Sequence, residues 1–235
     1  MARLRRIVAP GHPHLVIHRA RIGHTALVDA TDRELYRTCL VDAARAANVA
    51  VHAYALLPAE VRLLVSPQTE RGMAELMQAV GRRYVRAFNQ KYQLTGTPWE
   101  GRYRSAVIEA DAQFLPCLRF VETGSIGGQP VPTSVGSERD RASSLAHHLG
   151  LGVDALVTDH PAFWALGNTP FEREVAYRRF MGQPAEPSEV AEILHAALNG
   201  WVLGSQVFAD MISDRTGRRP QRTSRGRPRK SPEHQ

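Results

Sequence analysis

Two strand patterns joined by a tight connection constrain the fold of this chain more than any other feature. The strands are predicted at 49–57 and 60–66, where β-branched and aromatic residues are frequent, and Pro58-Ala59 connects them. A helical pattern ends near residue 47, before the pair, and a long amphipathic helix at 70–92 follows it. Paired strands flanked by helices are typical of a split βαβ arrangement.

Weaker patterns extend this arrangement in both directions. Further strands are predicted at 14–20 and 104–109, and a further helix at 111–122. The order β-α-β-β-α-β-α predicts an α+β fold, with a ferredoxin-like antiparallel sheet and helices on one face. After residue 124 the chain becomes irregular. Short helices are predicted beyond it, at 143–149, 171–181, 188–198 and 205–214.

The sequence therefore divides into three regions. An α+β domain is expected at 1–125, an irregular linker with a helical C-terminal region at 126–214, and a basic tail, disordered when free, at 215–235. No apolar run approaches the roughly 20 residues of a membrane span, and the N-terminus lacks the apolar stretch of a signal peptide. Two cysteines, Cys39 and Cys117, fit buried thiols better than a disulfide framework. These features predict a cytoplasmic protein with no membrane partner.

Charge is distributed unevenly along the chain. Residues 1–104 contain 16 basic and 8 acidic side chains, residues 105–214 contain 6 and 14, and residues 215–235 contain 8 and 1. A basic N-terminal half and a basic tail favour a polyanionic partner, and nucleic acid is the expected one. The alternative is a solvated basic face followed by a disordered tail.

Several distinctive blocks of sequence occur along the chain. They are Pro10-Gly11-His12-Pro13-His14, Val51-His52-Ala53-Tyr54, Gly81-Arg82-Arg83-Tyr84, Gly96-Thr97-Pro98-Trp99-Glu100-Gly101-Arg102-Tyr103, His160-Pro161, Gly200-Trp201-Val202-Leu203-Gly204 and Arg225-Gly226-Arg227-Pro228. In these blocks and their order the chain resembles the REP-associated tyrosine transposases, a branch of the HUH single-strand DNA transposases. The block that begins at Gly96 is the most specific of them.

The resemblance implies a fold and a chemistry. It implies that region 1–125 is an HUH transposase-like domain that cleaves and joins single-stranded DNA at imperfect hairpins. In that family a tyrosine attacks the phosphate and forms a 5′-phosphotyrosine intermediate, while Mg²⁺ or Mn²⁺ held by two histidines polarises the phosphate. Residues i and i+2 of a strand point to the same face, so two histidines at that spacing can hold one ion.

Four positions that correspond to the family's active site carry different residues in this chain. Glu60 and Arg62 occupy the histidine positions, Phe120 the tyrosine position and Gly124 an asparagine position. A guanidinium has no lone pair to offer a metal, and a phenyl ring has no oxygen to attack a phosphate. We therefore predict that no catalytic residue is intact, that no metal binds, and that Arg62 pairs with Glu60 on the strand face.

Other residues of the chain are candidate substitutes for the missing groups. The spacing of His12, His14 and His18 is compatible with one strand face and a metal site, or with surface and partly buried polar histidines. Tyr84, Tyr92 and Tyr103 are candidate replacement nucleophiles. Tyr84 falls on the core stripe of its helix, and Tyr103 is expected to be more exposed than Tyr84.

Basic residues beside an aromatic ring suit a single DNA strand, because phosphates pair with arginines while a base stacks on the ring. The predicted DNA contacts are Arg82, Arg83, Arg86, Trp99, Arg102, Arg104, Arg225, Arg227, Arg229 and Lys230. Trp99 has an alternative role as part of the hydrophobic core. The four tail residues resemble an AT-hook, which would contact the minor groove of an A·T-rich duplex, or a generic polybasic tail.

The sequence thus predicts a transposase-like protein that recognises hairpin or single-stranded DNA and has lost cleavage and strand transfer. The alternative is an active, metal-dependent transposase that works through a rearranged site. Both a monomer and a homodimer are compatible with the sequence.

Overall fold

The computed structural model describes residues 6–126, 131 and 142–218. Its elements follow the predicted order closely. They are β1 (His14–Arg19), α1 (Ala30–Ala46), β2 (Val49–Leu56), β3 (Glu60–Pro67), α2 (Gly72–Tyr92), β4 (Arg104–Ile108), α3 (Ala110–Ile126), α4 (Leu145–His148), α5 (Pro161–Trp164), α6 (Pro170–Met181), α7 (Pro187–Asn199), β5 (Val202–Leu203) and α8 (Gln206–Thr216). The α+β fold class is confirmed, and only the short elements α5 and β5 were not predicted.

The sheet has five strands in the order β2-β3-β1-β4-β5. The first four form the antiparallel arrangement of a ferredoxin-like fold. The fifth corrects the prediction of an antiparallel sheet, because β5 pairs with β4 in parallel through Val107–Val202 and Ile108–Leu203. A two-residue strand carries too short a pattern to be recognised in the sequence.

Helices cover both faces of the sheet, whereas the sequence analysis expected them on one. Val16 of β1 belongs to a core that α1 and α2 complete, while its neighbours Leu15 and Ile17 belong to a second core with residues of α3, α6 and α7. Adjacent residues of a strand point to opposite faces, so the two cores lie on opposite sides of the sheet. The physical reason is visible in β3, where Leu63-Leu64-Val65 is a continuous apolar run that must be buried on both sides.

Helix α1 is capped by Asp29, and its start is fixed to the end of α2. The Asp29 side chain accepts a hydrogen bond from the Asp32 backbone amide, and the Asp32 side chain accepts one from the Asp29 amide, which completes a capping box. Lys91 of α2 then lies 2.7 Å from Asp29 and 2.8 Å from Asp32. This contact fixes the two helices against each other over the first core.

The predictions for the remaining regions have mixed outcomes. Cys39 and Cys117 are buried free thiols, as expected. Among the described residues no helix is long and apolar enough to cross a membrane. The division into 1–125, 126–214 and 215–235 stays a prediction, although α6 and α7 share the second core with the sheet. The predicted DNA contacts of the tail fall at 225–230, outside the described residues.

Candidate functional site

Glu60 and Arg62 lie at the start of β3 and form the predicted ion pair. Their side chains project to the face of the strand opposite Val61. This is the face of Leu64, which belongs to the second core. The Glu60 carboxylate accepts from two guanidinium groups: Oε1 lies 2.6 Å from Nε of Arg62, and Oε2 lies 2.6 Å from Nε of Arg19. One carboxylate therefore bridges two cations, which leaves this cluster with a net charge of +1.

Arg62 also joins this strand to α3. Its Nη1 donates a hydrogen bond to the backbone carbonyl of Phe120 over 2.8 Å, and its guanidinium carbon lies 4.2 Å from the centre of the Phe120 ring. The charged group therefore stacks on the aromatic face while it is also hydrogen-bonded, an arrangement that arginine favours. Phe120, which stands at the tyrosine position of the resembled family, thus provides an aromatic ring and a carbonyl oxygen that hold Arg62.

Gly124 gives Arg62 the space that it occupies. A Cβ atom at this position would lie 2.9 Å from Nη1 of Arg62 and 3.1 Å from Cδ1 of Leu57. Contacts this short require one of the partners to move. The structure therefore brings Glu60, Arg62, Phe120 and Gly124 into one cluster, which we call the Arg62 cluster together with Arg19.

The chemistry available at the Arg62 cluster differs from metal-assisted phosphoryl transfer. The carboxylate of Glu60 already bonds two cations, and no described residue of the cluster offers a hydroxyl or an imidazole. The side chains of Glu60 and Arg62 are only 14% and 18% exposed, so little water screens their interaction. The side chain of Arg19 is 41% exposed, and its terminal nitrogens make no hydrogen bond within the described residues. This arrangement can bind an anion such as a phosphate.

Arg19 is a member of the cluster that the sequence analysis did not single out. Its partner in the β1–β3 ladder is Glu60, and directly paired residues project to the same face. A signal was present in principle, because opposite charges on paired strands stabilise a register. It required knowledge of that register, which local patterns do not contain.

The three N-terminal histidines do not form a metal site. Both ring nitrogens of His14 are used, one 2.8 Å from the His12 carbonyl and the other accepting from the Ala9 amide at 3.2 Å. His18 bonds the Gly101 carbonyl over 3.0 Å instead of converging on the other two. Burial lowers the pKa of both His14 and His18 to about 4, so both are neutral at physiological pH.

Tyr84 and Tyr103 are both buried. Tyr84 is buried and donates its hydroxyl proton to the Ala26 carbonyl at 2.6 Å, in agreement with a packing role. Tyr103 is more exposed than Tyr84, as expected, but it is still buried: it is 8% exposed, and Arg6 stacks on its ring with 3.7 Å to the centroid. Burial raises the pKa of Tyr103, which disfavours the phenolate needed for attack.

Trp99 belongs to the core and cannot stack on a base. It is 3% exposed, and its ring stacks on His18 with a centroid separation of 4.2 Å. An isolated bridge between Ala20 and Trp99 holds its loop against the end of β1. The prediction of a DNA contact is therefore wrong at this residue, and the alternative of a core residue is correct. The loop carries the ring into the first core, and no local sequence pattern predicts this path.

The arginines of the body fall into two groups. Arg82, Arg83 and Arg86 are exposed along one groove of α2, and Arg83 also pairs with Asp42 of α1. The buried residues with which α2 packs on the sheet belong to the first core. Helix α2 and its arginines therefore lie on the opposite side of the sheet from the Arg62 cluster. The structure does not bring the two groups together.

Arg102 and Arg104 lie closer to the Arg62 cluster. Both are exposed, at the start of β4. Ile17 of β1 pairs with Arg62 on one side and Arg104 on the other, so these three residues form a row across the sheet and project to the same face. Arg104 therefore extends the positive surface that Arg19 and Arg62 begin.

Comparison with known proteins gives a likeness of fold. The chain matches no family model and no curated protein. It is similar to the structure of a REP-associated tyrosine transposase bound to a REP hairpin, with a TM-score of 0.51 and 15% identity over 69% of this chain and 96% of that chain. A proposed transposase from Deinococcus radiodurans gives a TM-score of 0.36 and 23% identity over 48% of this chain and 91% of that one, which supports no argument. The chain therefore has the fold of a REP-associated tyrosine transposase.

Gly124→Ala tests whether Arg62 needs the space at this position. We expect a loss of about 1–3 kcal/mol in the free energy of unfolding, since the new methyl group overlaps Nη1. Gly81→Ala in α2 is the matched control: nothing lies within 4 Å of its Cβ, so it should gain about 0.5–1 kcal/mol in helix propensity. Denaturant unfolding measures both values.

A double-mutant cycle completes the test of this contact. In an Arg62→Gln background the Nη1 atom is absent, so Gly124→Ala should cost less by about 0.5 kcal/mol or more. Equal gains for the Gly124 and Gly81 variants in the unmodified protein would contradict the close contact.

Proposed function

We propose that this protein binds hairpin or single-stranded DNA and does not cleave or rejoin it. The observation that carries the proposal is the Arg62 cluster, where a guanidinium stands at a position that corresponds to a metal ligand in the resembled family. Its support from the fold is the likeness to a transposase that was solved with a hairpin bound.

A fixed guanidinium supports binding of a phosphate at this position better than catalysis. Arginine matches phosphate geometry with several donors and keeps its charge at every physiological pH. Arg62 is held by Glu60 and Phe120, so its position is set before DNA arrives. A preorganised cation of this kind binds the anion in the ground state, and without a nucleophile that binding leads to no covalent step.

The binding surface that we propose extends along one end of the sheet. Arg19, Arg62 and Arg104 lie on the same face, and Arg102 lies beside them before β4. These three arginines at neighbouring β-strand positions, with Arg102 as a fourth basic group, suit successive phosphates of a single DNA strand. The base-stacking aromatic that such sites often use is not Trp99, because that ring is buried.

The arginines of α2 provide a second basic surface on the other side of the sheet. Arg82 and Arg86 are exposed and lie four residues apart, so they project from the same side of the helix. We assign them to contacts with a separate part of the DNA that a plain duplex lacks, such as the single strand that flanks a hairpin. This assignment requires a DNA that is long enough to pass from one face of the protein to the other.

The proposal predicts that no covalent protein–DNA adduct forms. Incubated with a hairpin oligonucleotide and Mn²⁺, the protein should give no denaturation-resistant protein–DNA band, because Phe120 has no oxygen to attack a phosphate. Phe120→Tyr alone should also give none, since the metal ligands are still missing. A band from the unmodified protein would establish the alternative, an active enzyme with a rearranged site.

A triple variant serves as the positive arm of the same assay. Glu60→His, Arg62→His and Phe120→Tyr together restore the residues that the family implies, and they are the smallest set from which an adduct is expected. Titration of the unmodified protein with Mn²⁺ should show no binding site that is missing from the Glu60→Ala variant. Such a site would contradict the proposal independently of the gel.

The second prediction separates the two basic surfaces. Arg104→Gln should weaken binding to a single strand and to a hairpin and change duplex binding less, because its surface suits an unpaired strand. Replacing Arg82, Arg83 and Arg86 together by Gln should reduce the preference for a hairpin over a plain duplex. Arg71→Gln is the control, because Arg71 is a highly exposed arginine at the start of α2, outside this groove.

A deletion of residues 219–235 tests the tail without shortening α8. It removes six basic side chains and one acidic side chain, so it should weaken binding to all DNA and reduce the slope of log K against log salt. Affinities for hairpin, single strand and duplex across a salt series measure every variant. Loss of all binding on deletion, with silent Arg104 and α2 variants, would show that the folded body does not recognise DNA.

A further inference from the structure

A second cluster of chemically active side chains lies away from the Arg62 cluster. It consists of His147 and His148 of α4 and of Asp159, which precedes α5. The Nε2 atoms of His147 and His148 lie 3.3 Å and 3.7 Å from Oδ1 of Asp159, and the three potential ligand atoms all lie within 4.8 Å of one another. Three donors of nitrogen and oxygen type thus converge on one point.

The separations are close to those of a tetrahedral metal site. Zinc bonds to histidine nitrogen and carboxylate oxygen are about 2.0–2.1 Å long, which places tetrahedral ligands roughly 3.3 Å apart. The two distances to Asp159 are near this value, and the two imidazole nitrogens, which lie within 4.8 Å of each other, would move closer together around an ion. Two imidazoles and one carboxylate suit zinc or a neighbouring transition metal better than Mg²⁺, which prefers oxygen ligands.

His148 is oriented as a metal ligand. Its Nδ1 lies 2.7 Å from Oε1 of Glu122, a fully buried carboxylate on α3. Tyr177 donates to Oε2 of Glu122 over 2.7 Å, and burial beside that carboxylate raises the pKa of Tyr177, so this tyrosine remains a donor. When Nδ1 donates to Glu122, the lone pair of Nε2 faces Asp159. A carboxylate behind a histidine in this way is the usual outer partner of a metal-bound imidazole.

His147 sets a limit on the affinity. Its Nδ1 accepts a hydrogen bond from the Asp154 amide at 3.2 Å, so without metal the proton is on Nε2 and points to Asp159. Binding through Nε2 moves that proton to Nδ1 and removes this long hydrogen bond. The site should therefore bind zinc more weakly than one whose histidines are both oriented in advance.

The site is accessible from solvent. The side chains of His147 and Asp159 are 18% and 25% exposed, and His147 lines a cleft of about 330 Å³ together with Arg37 and Tyr54. Three protein ligands leave one coordination position for water. The buried His148 forms the inner wall of the site.

We propose that His147, His148 and Asp159 form a transition-metal site, with Zn²⁺ as the best-matching ion. The ion joins α4 to the segment before α5, and through Glu122 it connects both to α3. It therefore stabilises the C-terminal helical region against the second core. The proposal does not depend on DNA binding.

Titration of chelator-treated full-length protein with Zn²⁺ tests the site. Calorimetry should show one ion per chain, and Zn²⁺ should raise the melting temperature, because a ligand that binds only the folded state stabilises it. His147→Gln and Asp159→Asn should each weaken binding by about tenfold or more. His24→Gln, which replaces an exposed histidine elsewhere, should leave it unchanged.

Substitution with Co²⁺ gives a readout that needs no variant. Intense visible absorption is expected from a tetrahedral site with nitrogen and oxygen ligands, and weak octahedral absorption would overturn the proposal. So would the absence of stoichiometric Zn²⁺ binding at about 100 μM, the protein concentration of a calorimetric titration. Binding that survives both His147→Gln and Asp159→Asn, or that His24→Gln removes, would place the ion elsewhere and overturn it as well.

Discussion

Burial of the central strands on both faces is the constraint on which the rest of this structure depends. Strands β1 and β3 are apolar at successive positions, so α1 and α2 alone leave half of their side chains uncovered. Helix α3 and the C-terminal helices α6 and α7 cover the other half, and this area of burial supplies the main stabilisation. Because α3 must pack on that second face, it also passes directly over the start of β3, where Glu60 and Arg62 lie.

This packing explains why the Arg62 cluster is held together so closely. Removing one member of a partly buried charge network leaves its partners without compensation, which costs more than the pair itself contributes. Glu60 bonds both Arg19 and Arg62, Phe120 receives the guanidinium on its ring and its carbonyl, and Gly124 leaves the necessary space. These positions depend on one another, so a change of the cluster to histidine and tyrosine requires several substitutions together.

The two sides of the sheet have different chemical characters. The α2 side carries an exposed arginine groove over a conventional apolar core. The α3 side combines the Arg62 cluster with a buried polar network in which Ser144, His148 and Tyr177 all contact the Glu122 carboxylate. Buried polar groups of this kind are stable only when they are fully hydrogen-bonded, so they fix the C-terminal region in a single arrangement. The proposed DNA surface at one end of the sheet and the proposed ion site at α4 use different parts of the same scaffold.

The sequence by itself determined the element order and the fold class, and it predicted the positions that depart from the resembled family. Those properties are written in local periodicity and in short blocks, as in the strands on either side of Pro58-Ala59 and the apolar stripe of α2. It also predicted that Arg62 pairs with Glu60, because residues two apart on a strand share a face.

Only the tertiary structure decided the contacts made between distant segments. Arg19 meets Glu60 through strand register, Trp99 enters the core through a loop, and β5 joins the sheet with two residues. The separation of the α2 arginines from Arg62 depends on which face each helix covers. His147, His148 and Asp159 converge because α4 and the segment before α5 pack on the same core. Each of these arrangements follows from long-range packing, which local sequence patterns do not encode.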